Sequence, residues 1–395
     1  SSSHGAPLGP DEVRATKEGM GWSQEPFFVP EGLPAKIGAA LDAGPADHRA
    51  WRSTMESYRA QHPELATELE QVLRGELPAG AFDGLPTFEV GSSIATRKAS
   101  AKILAALSKT LPSLVGGSAD LAGSNGVGIP EGGVLDAQTA DGRNVHFGVR
   151  EHGMAGIVNG MALHGGLRPF DATFLIFSDF MRGAVRLSAL MHLPAVHIFS
   201  HDSIFLGEDG PTHQPVEQCM SLRMIPNLHV VRPADAKETL GAWKLAMERS
   251  DGPTAILLTR QGLPVQEHTR ADISQGAYVV HDPAGEGELH GMVLATGSEV
   301  ALALEAAARL EAQGKRVRVV SMPCWEAFEL QDEAYRRSVL PAAVTRRLSI
   351  EAGVGLGWQR YAADHHGIDR FGASAPMETL AEQFGFTVDA VVAHY

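Results

Sequence analysis

Short apolar runs alternate with amphipathic stretches through the middle of the chain. Five of the runs have the length and the β-branched content of buried strands, and they lie at 144–149, 169–177, 195–199, 228–232 and 254–260. Helical patterns precede or separate them, at 94–109, 152–166, 178–192 and 235–249. Strands that alternate with helices in this way predict parallel βαβ units, with helices on both faces of one sheet.

The two ends of the chain have different patterns. Residues 48–73 carry apolar side chains at helical spacings, with a break near Pro63, and no strand is recognisable before residue 93. Residues 291–323 contain a strand, a Gly-Ser turn, an amphipathic helix and a second strand. The pattern therefore predicts an α/β protein with two doubly wound parallel-sheet domains, preceded by a mostly helical remnant of a third domain.

The expected boundaries follow the changes in pattern. We expect the remnant and a connecting segment at 1–92, the first sheet domain at 93–262, a linker at 263–288 and the second sheet domain at 289–395. The linker is rich in turn-forming residues, which is the basis for its assignment.

Composition narrows the class of protein. A chain of 395 residues with 44% hydrophobic and 20% charged residues has ordinary globular usage, and no apolar run is long enough for a membrane-spanning helix. The net charge of -14 argues against a protein that wraps nucleic acid. Cys219 and Cys324 lie far apart without metal-ligand spacing, which favours a reducing compartment and no structural zinc. No secretory h-region is recognisable, so we expect a cytoplasmic location.

Candidate chemistry lies at the ends of three of the strands. The stretch HDSIFLGEDGPTHQP at 201–215 comes directly after an apolar strand, where parallel sheets bind ligands, although a short polar stretch alone is more often a surface loop. Glu151 opens a helix after another strand, and such a glutamate often serves only the helix dipole. Phe174, Phe177 and Phe180 recur every three residues, which is typical of a core but also of a wall for a flat heteroaromatic ligand.

Several segments, in one order along the chain, together resemble transketolase, the thiamine-diphosphate enzyme of the pentose phosphate pathway. They are SHGAPLG (3–9), GGSADLAGSN (116–125), GVREHGM (148–154), TFLIFSDF (173–180), HDSIFLGEDGPTHQPVEQ (201–218), RPADAKE (232–238), GPTAILLTRQ (252–261) and ATGSEV (295–300). The resemblance implies a pyrimidine-binding thiamine-diphosphate fold followed by the Rossmann-like transketolase C-terminal domain.

The resemblance also implies that part of the family's pattern is absent. Transketolases hold the diphosphate and a divalent metal, Mg²⁺ or Ca²⁺, with a Gly-Asp-Gly segment and a downstream Asn, and this chain has no such segment. We therefore expect no metal ligand here and a chain that lacks most of the N-terminal diphosphate-binding domain. A truncated or proteolysed product of one longer chain is favoured over a naturally split protein.

Site residues are implied by the resemblance, position by position. Glu151, His213 and His4 match catalytic positions, and we expect Glu151 to be buried against the aminopyrimidine of thiamine diphosphate. The predicted cofactor contacts are Asp120, Leu121, Glu151, Phe174, Phe177 and Phe180. The predicted contacts to sugar phosphate are Arg97, Ser124, His201, Asp209, His213 and Arg260. Many transketolases carry Tyr where this chain has Phe180.

The implied function is transfer of a two-carbon ketol unit from a ketose phosphate to an aldose phosphate. Xylulose 5-phosphate would be the donor, and ribose 5-phosphate or erythrose 4-phosphate the acceptor. We expect a homodimer with active sites at the subunit interface, completed by the absent N-terminal part. The alternatives are a non-catalytic or split transketolase-like subunit, or another thiamine-diphosphate enzyme such as dihydroxyacetone synthase.

Overall fold

The computed structural model describes residues 4–395; residues 1–3, which belong to the predicted remnant, lie outside the described residues. The chain divides into two compact units, Ser1–Glu68 and Leu69–Tyr395. The first unit is helical, with α1 (Pro10–Gly19), α2 (Leu33–Leu41), α3 (Ala43–Gln61) and the start of α4 (Pro63–Leu73). The predicted break near Pro63 is confirmed, because α3 ends before this proline, which opens α4.

The part of the second unit from Ser93 to Pro264 contains a six-stranded sheet in which all strands are parallel, and a separate pair of short strands. Its elements are β1 (Ser93–Ala95), α5 (Thr96–Thr110), β2 (Leu114–Ser118), α6 (Ala122–Asn125), β3 (Asn144–His146), α7 (Glu151–His164), β4 (Arg168–Phe174), α8 (Ser178–Leu190), β5 (Val196–Ser200), α9 (Gln218–Arg223), β6 (His229–Val231), α10 (Ala236–Glu248), β7 (Thr254–Leu258) and β8 (Gly262–Pro264). The sheet order is β3-β2-β4-β5-β7-β6, and β1 and β8 form a separate antiparallel pair.

The order of the strands predicts a crevice at the carboxyl ends of β2 and β4. After β2 the chain adds β3 on one side, and it then crosses back to place β4 on the other side of β2. In open α/β sheets, ligands bind beyond the carboxyl ends of strands where the winding direction reverses. The loops that follow β2 and β4 are therefore the place to look for a site.

A second sheet is built from the C-terminal part of the chain. Its elements are β9 (Tyr278–His281), β10 (Gly291–Ala295), α11 (Glu299–Glu311), β11 (Val317–Ser321), α12 (Trp325–Glu329), α13 (Glu333–Val339), β12 (Arg347–Ile350), β13 (Asp364–His366), α14 (Met377–Gln383) and α15 (Val388–His394). The order is β13-β12-β10-β11-β9, and all pairs are parallel except β9 with β11. The expected α/β fold class with two doubly wound sheets is thus confirmed.

The structure differs from the sequence predictions at several element ends. The predicted linker 263–288 contains most of β8 and all of β9, because these short segments find partners far away in sequence, in β1 and β11. The strand predicted over 169–177 ends at Phe174, where the backbone tightens into a 3₁₀ turn, Leu175–Phe177. The strand predicted over 144–149 ends at His146, and Gly148 follows with φ +69°. None of the helices in the described residues is long and apolar enough to cross a membrane.

Candidate active site

The turn after β2 is organised by one buried hydroxyl. Ser118 Oγ accepts hydrogen bonds from the Leu121 backbone N–H at 3.1 Å and from Asn125 Nδ2 at 2.9 Å. Asp120 lies between them with φ +63°, a left-handed conformation that Asp adopts more readily than most residues. The turn therefore presents Asp120 and Leu121 to the crevice in a defined conformation.

The three phenylalanines leave the carboxyl end of β4 as a stack. The ring centroids of Phe174 and Phe177 are 5.8 Å apart with an interplanar angle of 11°, and those of Phe177 and Phe180 are 6.0 Å apart with an angle of 23°. The 3₁₀ turn explains the stack, because side chains three residues apart eclipse each other in that geometry. Phe174 is 7% exposed and Phe180 is 65% exposed, so the stack runs from the core to the surface.

A mainly apolar cavity lies beside this stack. It has a volume of about 390 Å³ and is lined by Ala119, Asp120, Leu121, Val149, Glu151, Phe177 and Phe180. Glu151, the first residue of α7, contributes one carboxyl group to the cavity wall. Asp120, in the turn after β2, contributes the other. The cavity thus combines two aromatic rings with carboxyl groups, which suits a flat, nitrogen-containing ring.

Glu151 is half-buried, and the expectation that it would be buried is wrong for this chain taken alone. Its neighbours in the cavity wall explain this, because Val149 is 73% exposed and Phe180 is 65% exposed. The mouth of the cavity is therefore open on the side of α7 and α8.

His201 packs against the inner end of the phenylalanine stack. Its ring lies 3.7 Å from that of Phe174, nearly parallel at 27°, and the residue is 4% exposed. Ser200 donates its hydroxyl proton to Asn125 Oδ1 at 2.7 Å, so His201 Nδ1 donates to Ser200 Oγ at 2.8 Å. Burial, assisted by the positive charges of Arg97 and Arg260, lowers the pKa of His201 to about 3. The ring is neutral at physiological pH.

His213 joins the same cluster from the other end of its loop. Its ring meets Phe177 edge-on at 5.5 Å and Phe174 at 6.2 Å, and its Nδ1 lies 2.9 Å from Thr212 Oγ1. It is half-buried, so one side of the ring remains open to a ligand. The two histidines of the segment 201–215 therefore converge on Phe174.

Two guanidinium groups flank His201. Arg97 lies in the first turn of α5 and donates through Nη1 to the carbonyl oxygen of Ser124, while Arg260 follows β7. Burial lowers the pKa of Arg97, and the charge of Arg260 lowers it further. Within residues 4–395 no carboxylate pairs with either arginine, and Arg97 Nε is buried without a partner. Two close cations without counterions favour an anion such as phosphate.

Two further predicted residues are exposed. Asp209 is exposed on the loop between Gly207 and Gly210, which carry φ +97° and +77°. His4 belongs to the first unit and is exposed there. The roles of both residues stay predictions. No group of three or more metal-binding side chains occurs in the described residues. The metal ligands stay a prediction for the N-terminal Gly-Asp-Gly segment of the family's pattern.

Sequence reasoning missed a buried ionic network that adjoins the site. Arg232 Nε donates to Asp202 Oδ2 at 2.8 Å, and its Nη1 donates to Glu299. Arg223 forms a bidentate pair with Glu351 at 2.7 and 2.9 Å. All five side chains are at most 3% exposed. Arg232 and Glu299 lie within the segments RPADAKE and ATGSEV. The sequence signal that could have indicated the network was a charged residue shortly after an apolar strand.

A second histidine system is structural. His197 Nδ1 lies 2.9 Å from both carboxylate oxygens of Asp171, and its Nε2 lies 3.0 Å from Ser188 Oγ. The connectivity is that of a nucleophilic triad. All three residues are 0% exposed and the serine also donates to the carbonyl oxygen of Val185, so this array is a satisfied core network without access to a substrate.

Comparison with known proteins covers nearly the whole chain. Family models match as the transketolase thiamine diphosphate binding domain at 1–78, the transketolase pyrimidine binding domain at 92–266 and the transketolase-like C-terminal domain at 276–387. Transketolase from Geobacillus stearothermophilus is 50% identical over 398 residues, covering 98% of this chain and 59% of the relative. The chain thus spans about three fifths of the length of the curated relatives it matches.

Solved structures give the same result. Transketolase from Leishmania mexicana superposes with a TM-score of 0.93 at 42% identity, covering 98% of this chain and 57% of that one. A structure described as a split gene transketolase, inactive beta4 tetramer, superposes with a TM-score of 0.59 at 27% identity, covering 77% of this chain and 97% of that one.

Proposed function

The chain belongs to the transketolase family, and we propose that it carries the pyrimidine side and the substrate side of a ketol-transfer active site. The reaction is transfer of a two-carbon ketol unit from xylulose 5-phosphate to ribose 5-phosphate or erythrose 4-phosphate in the pentose phosphate pathway. Because the chain spans three fifths of its relatives, activity is proposed only together with the N-terminal diphosphate-binding part. The observation that carries the proposal is the convergence of Glu151, the phenylalanine stack and the His201–Arg97–Arg260 cluster at one crevice.

The residues around the cavity fit the aminopyrimidine of thiamine diphosphate. The rings of Phe177 and Phe180 supply a flat apolar wall, and Glu151 supplies a carboxyl group for a ring nitrogen. Asp120 and Leu121 complete the cavity from the β2 turn. When bound, thiamine diphosphate supplies the acidic carbon of the reaction and, through its own amino group, the base that ionises it.

This chain's side chains have four tasks in the proposed mechanism. Glu151 holds a proton against the pyrimidine nitrogen, and the phenylalanine stack orients the ring and excludes water. His213 moves protons at the oxygens of the sugar, with His4 assisting near the diphosphate. Asp209 accepts a hydrogen bond from a donor hydroxyl, which discriminates against the wrong epimer by roughly 1–3 kcal/mol.

The anion pocket holds the substrate phosphate. Arg97 and Arg260 supply the positive charge, since His201 is neutral at physiological pH, and Ser124 and His201 supply hydrogen-bonding groups beside them. Two guanidinium groups beside neutral hydrogen-bonding groups favour a phosphorylated sugar as the ligand.

A fusion protein tests the proposal. The N-terminal residues of Geobacillus stearothermophilus transketolase that precede the matched region are joined to this chain, and ketol transfer from xylulose 5-phosphate to ribose 5-phosphate is measured. We expect transfer by the fusion, and a decrease in kcat of at least about 100-fold for Glu151→Gln. The unfused chain should give no stoichiometric thiamine diphosphate signal in calorimetry.

Glu305→Gln is the matched control, because Glu305 is an exposed glutamate on α11, outside the crevice. It should leave the rate unchanged. An active Glu151→Gln fusion, or a folded parent fusion that transfers no ketol unit to ribose 5-phosphate, would reject the proposal.

A second candidate is a subunit of a split transketolase. It is favoured by the solved structure of that description, of which this chain covers 97% and which is named as an inactive tetramer. The same two polypeptides, mixed as separate chains instead of fused, distinguish the candidates. Activity that requires the fusion supports one continuous chain, whereas full activity of the mixture supports a two-subunit enzyme.

We also propose a homodimer whose contact surface is the open side of α7 and α8. The domain division at 93–262 and 289–395 also belongs to the proposal, and the family-model ranges 92–266 and 276–387 support it. A cytoplasmic location is supported by two cysteines that are buried as free thiols.

A further inference from the structure

We propose that Asp202 and Arg232 are positioning residues that hold His201 in the substrate site, and that Glu299 of the C-terminal sheet domain holds them in turn. The inference rests on the proposed function only in treating His201 as a substrate-binding residue. It assigns a task to a domain that contributes no residue to the predicted site.

Arg232 connects the two sheets through one guanidinium group. It follows β6 in the first sheet, and its Nε donates to Asp202 Oδ2 at 2.8 Å. Its Nη1 donates to the carbonyl oxygen of Thr296 at 3.0 Å and to Glu299, both after β10 of the second sheet. Arg232, Asp202 and Glu299 have side chains that are 1% exposed, so water does not compete for these hydrogen bonds.

The second sheet fixes the far side of this connection. Glu299 also accepts hydrogen bonds from the backbone N–H of Ala352 at 3.0 Å and from Ser298 Oγ at 2.5 Å. Glu351, bound to Arg223, accepts a further hydrogen bond from Thr296 Oγ1 at 2.6 Å. The carboxylate that Arg232 meets is therefore held by partners of its own and cannot follow a movement of Asp202.

His201 needs such support because its backbone is strained. It is a non-glycine residue at φ +61°, in the left-handed region, and it lies directly between Ser200 and Asp202. Ser200 is held through Asn125 to the β2 turn, and Asp202 is held through Arg232. Both neighbours are thus anchored, which prevents the strained residue from relaxing and keeps its ring stacked on Phe174.

The second oxygen of Asp202 argues for a task beyond stability. Asp202 Oδ1 is buried without a hydrogen-bond partner among the described residues. A buried acceptor without a partner costs free energy, and ionic pairs in a core can often be replaced by apolar side chains without loss of stability. The carboxylate of Asp202 is needed at this position to hold His201, and this task explains why its cost in free energy is tolerated.

The test reads the ring of His201 directly in the 395-residue chain, with ¹³C-labelled histidine and no cofactor or substrate. Its resonance is assigned by the peak that disappears in His201→Asn, since Asn tolerates the left-handed backbone at this position. Stacking at 3.7 Å on Phe174 should shift the ring protons of His201 upfield. We expect Asp202→Asn, which removes the charge that pairs with Arg232 and weakens this hydrogen bond, to reduce the upfield shift. Because the measurement needs no turnover, its result and that of the ketol-transfer assay are independent.

Glu238→Gln is the matched control, since Glu238 is another fully buried carboxylate between the two sheets, bonded to Tyr278 and Ser321. It should leave the His201 resonance in place. The resonance of His197, in the core of the first sheet, reports whether each variant is folded. If Asp202→Asn does not fold, Glu299→Gln, which leaves Asp202 intact, is read in the same way. A folded variant of either kind with an unchanged His201 resonance overturns the proposal.

Discussion

His201 shows how one residue type acquires a property from its surroundings. Histidine normally titrates near physiological pH. Here burial, two nearby guanidinium groups and His213 favour the neutral ring and lower its pKa to about 3. His229 at the edge of the first sheet has a pKa lowered to about 4, chiefly by burial, with a contribution from Arg249. In both cases the folded state binds fewer protons than the unfolded state at mildly acidic pH.

This difference predicts a pH dependence of stability. Between pH 6.5 and about 3 the unfolded chain protonates residue 201 and the folded chain does not, so the contribution is complete above pH 6.5 and is lost as the pH falls. Near pH 5 one such group contributes roughly 1.4 kcal/mol per pH unit to the slope. We expect His201→Asn to remove that amount from the slope, measured by urea unfolding at pH 5, 6 and 7. Asn is chosen because it tolerates the left-handed backbone.

His229→Asn provides the comparison outside the site. It should reduce the slope by a similar amount, while the two variants differ in absolute stability at pH 7. A slope for His201→Asn that equals that of the parent chain, with a reduced slope for His229→Asn, would show that His201 titrates normally in the folded protein.

The strand β2 and the turn after β4 decide the geometry of the crevice. Gly116 and Gly117 let β2 approach its neighbours, since a Cβ at Gly116 would lie 2.2 Å from the Phe170 carbonyl oxygen and one at Gly117 would lie 1.8 Å from that of Val145. Both contacts are with backbone, which cannot move without displacing β3 or β4. The close approach sets where the β2 turn meets the phenylalanine stack.

We therefore expect Gly117→Ala to destabilise the protein by at least about 3 kcal/mol, the upper end for overpacking, or to prevent folding. The urea midpoint is the measurement. Gly123→Ala in α6 is the matched control, because nothing lies within 4 Å of the added Cβ, and its effect should stay within about 1 kcal/mol. Equal midpoints for the two variants would mean that β2 can shift to accept a side chain.

The chain as a whole leaves an apolar surface on α7 and α8. Ile157 is 53% exposed, Leu163 63%, Phe180 65% and Leu187 47%, and Val149 at the mouth of the cavity is 73% exposed. Monomeric proteins rarely expose so many large apolar side chains on one pair of packed helices. The same surface leaves Glu151 half-buried, which fits the proposed homodimer, because a partner there would cover both.

The proposed dimer predicts self-association of the 395-residue chain. The double variant Ile157→Asp, Leu187→Glu should raise the dissociation constant by roughly tenfold to a hundredfold, because charges would be buried in an apolar contact. Sedimentation over a range of protein concentrations measures it. Leu330→Glu is the control, since Leu330 is 76% exposed at the end of α12, far along the chain from this surface. A parent chain that remains monomeric at every concentration, or an equal effect of the control, would contradict the dimer.

Much of the first sheet was predictable because its signals are local. The runs at 195–199, 228–232 and 254–260 correspond to β5, β6 and β7, and the helices at 178–192 and 235–249 to α8 and α10. Strand β9 was missed because a segment of four residues carries little periodicity and is stabilised by pairing with β11. The ionic network was missed because its five members lie at separate places along the chain, and no single segment indicates which distant residues its charged side chain contacts.

The order of residue types along the chain was enough to indicate the α/β class, the family and which side chains carry the proposed chemistry, because periodicity and motifs are properties of neighbouring residues. The 3.7 Å stack of His201 on Phe174, the half-buried Glu151 and the path from Arg232 to Glu299 depended on how distant strands pair and pack. Hydrogen bonds and charges act over a few ångströms, and only the folded chain brings these groups within that range.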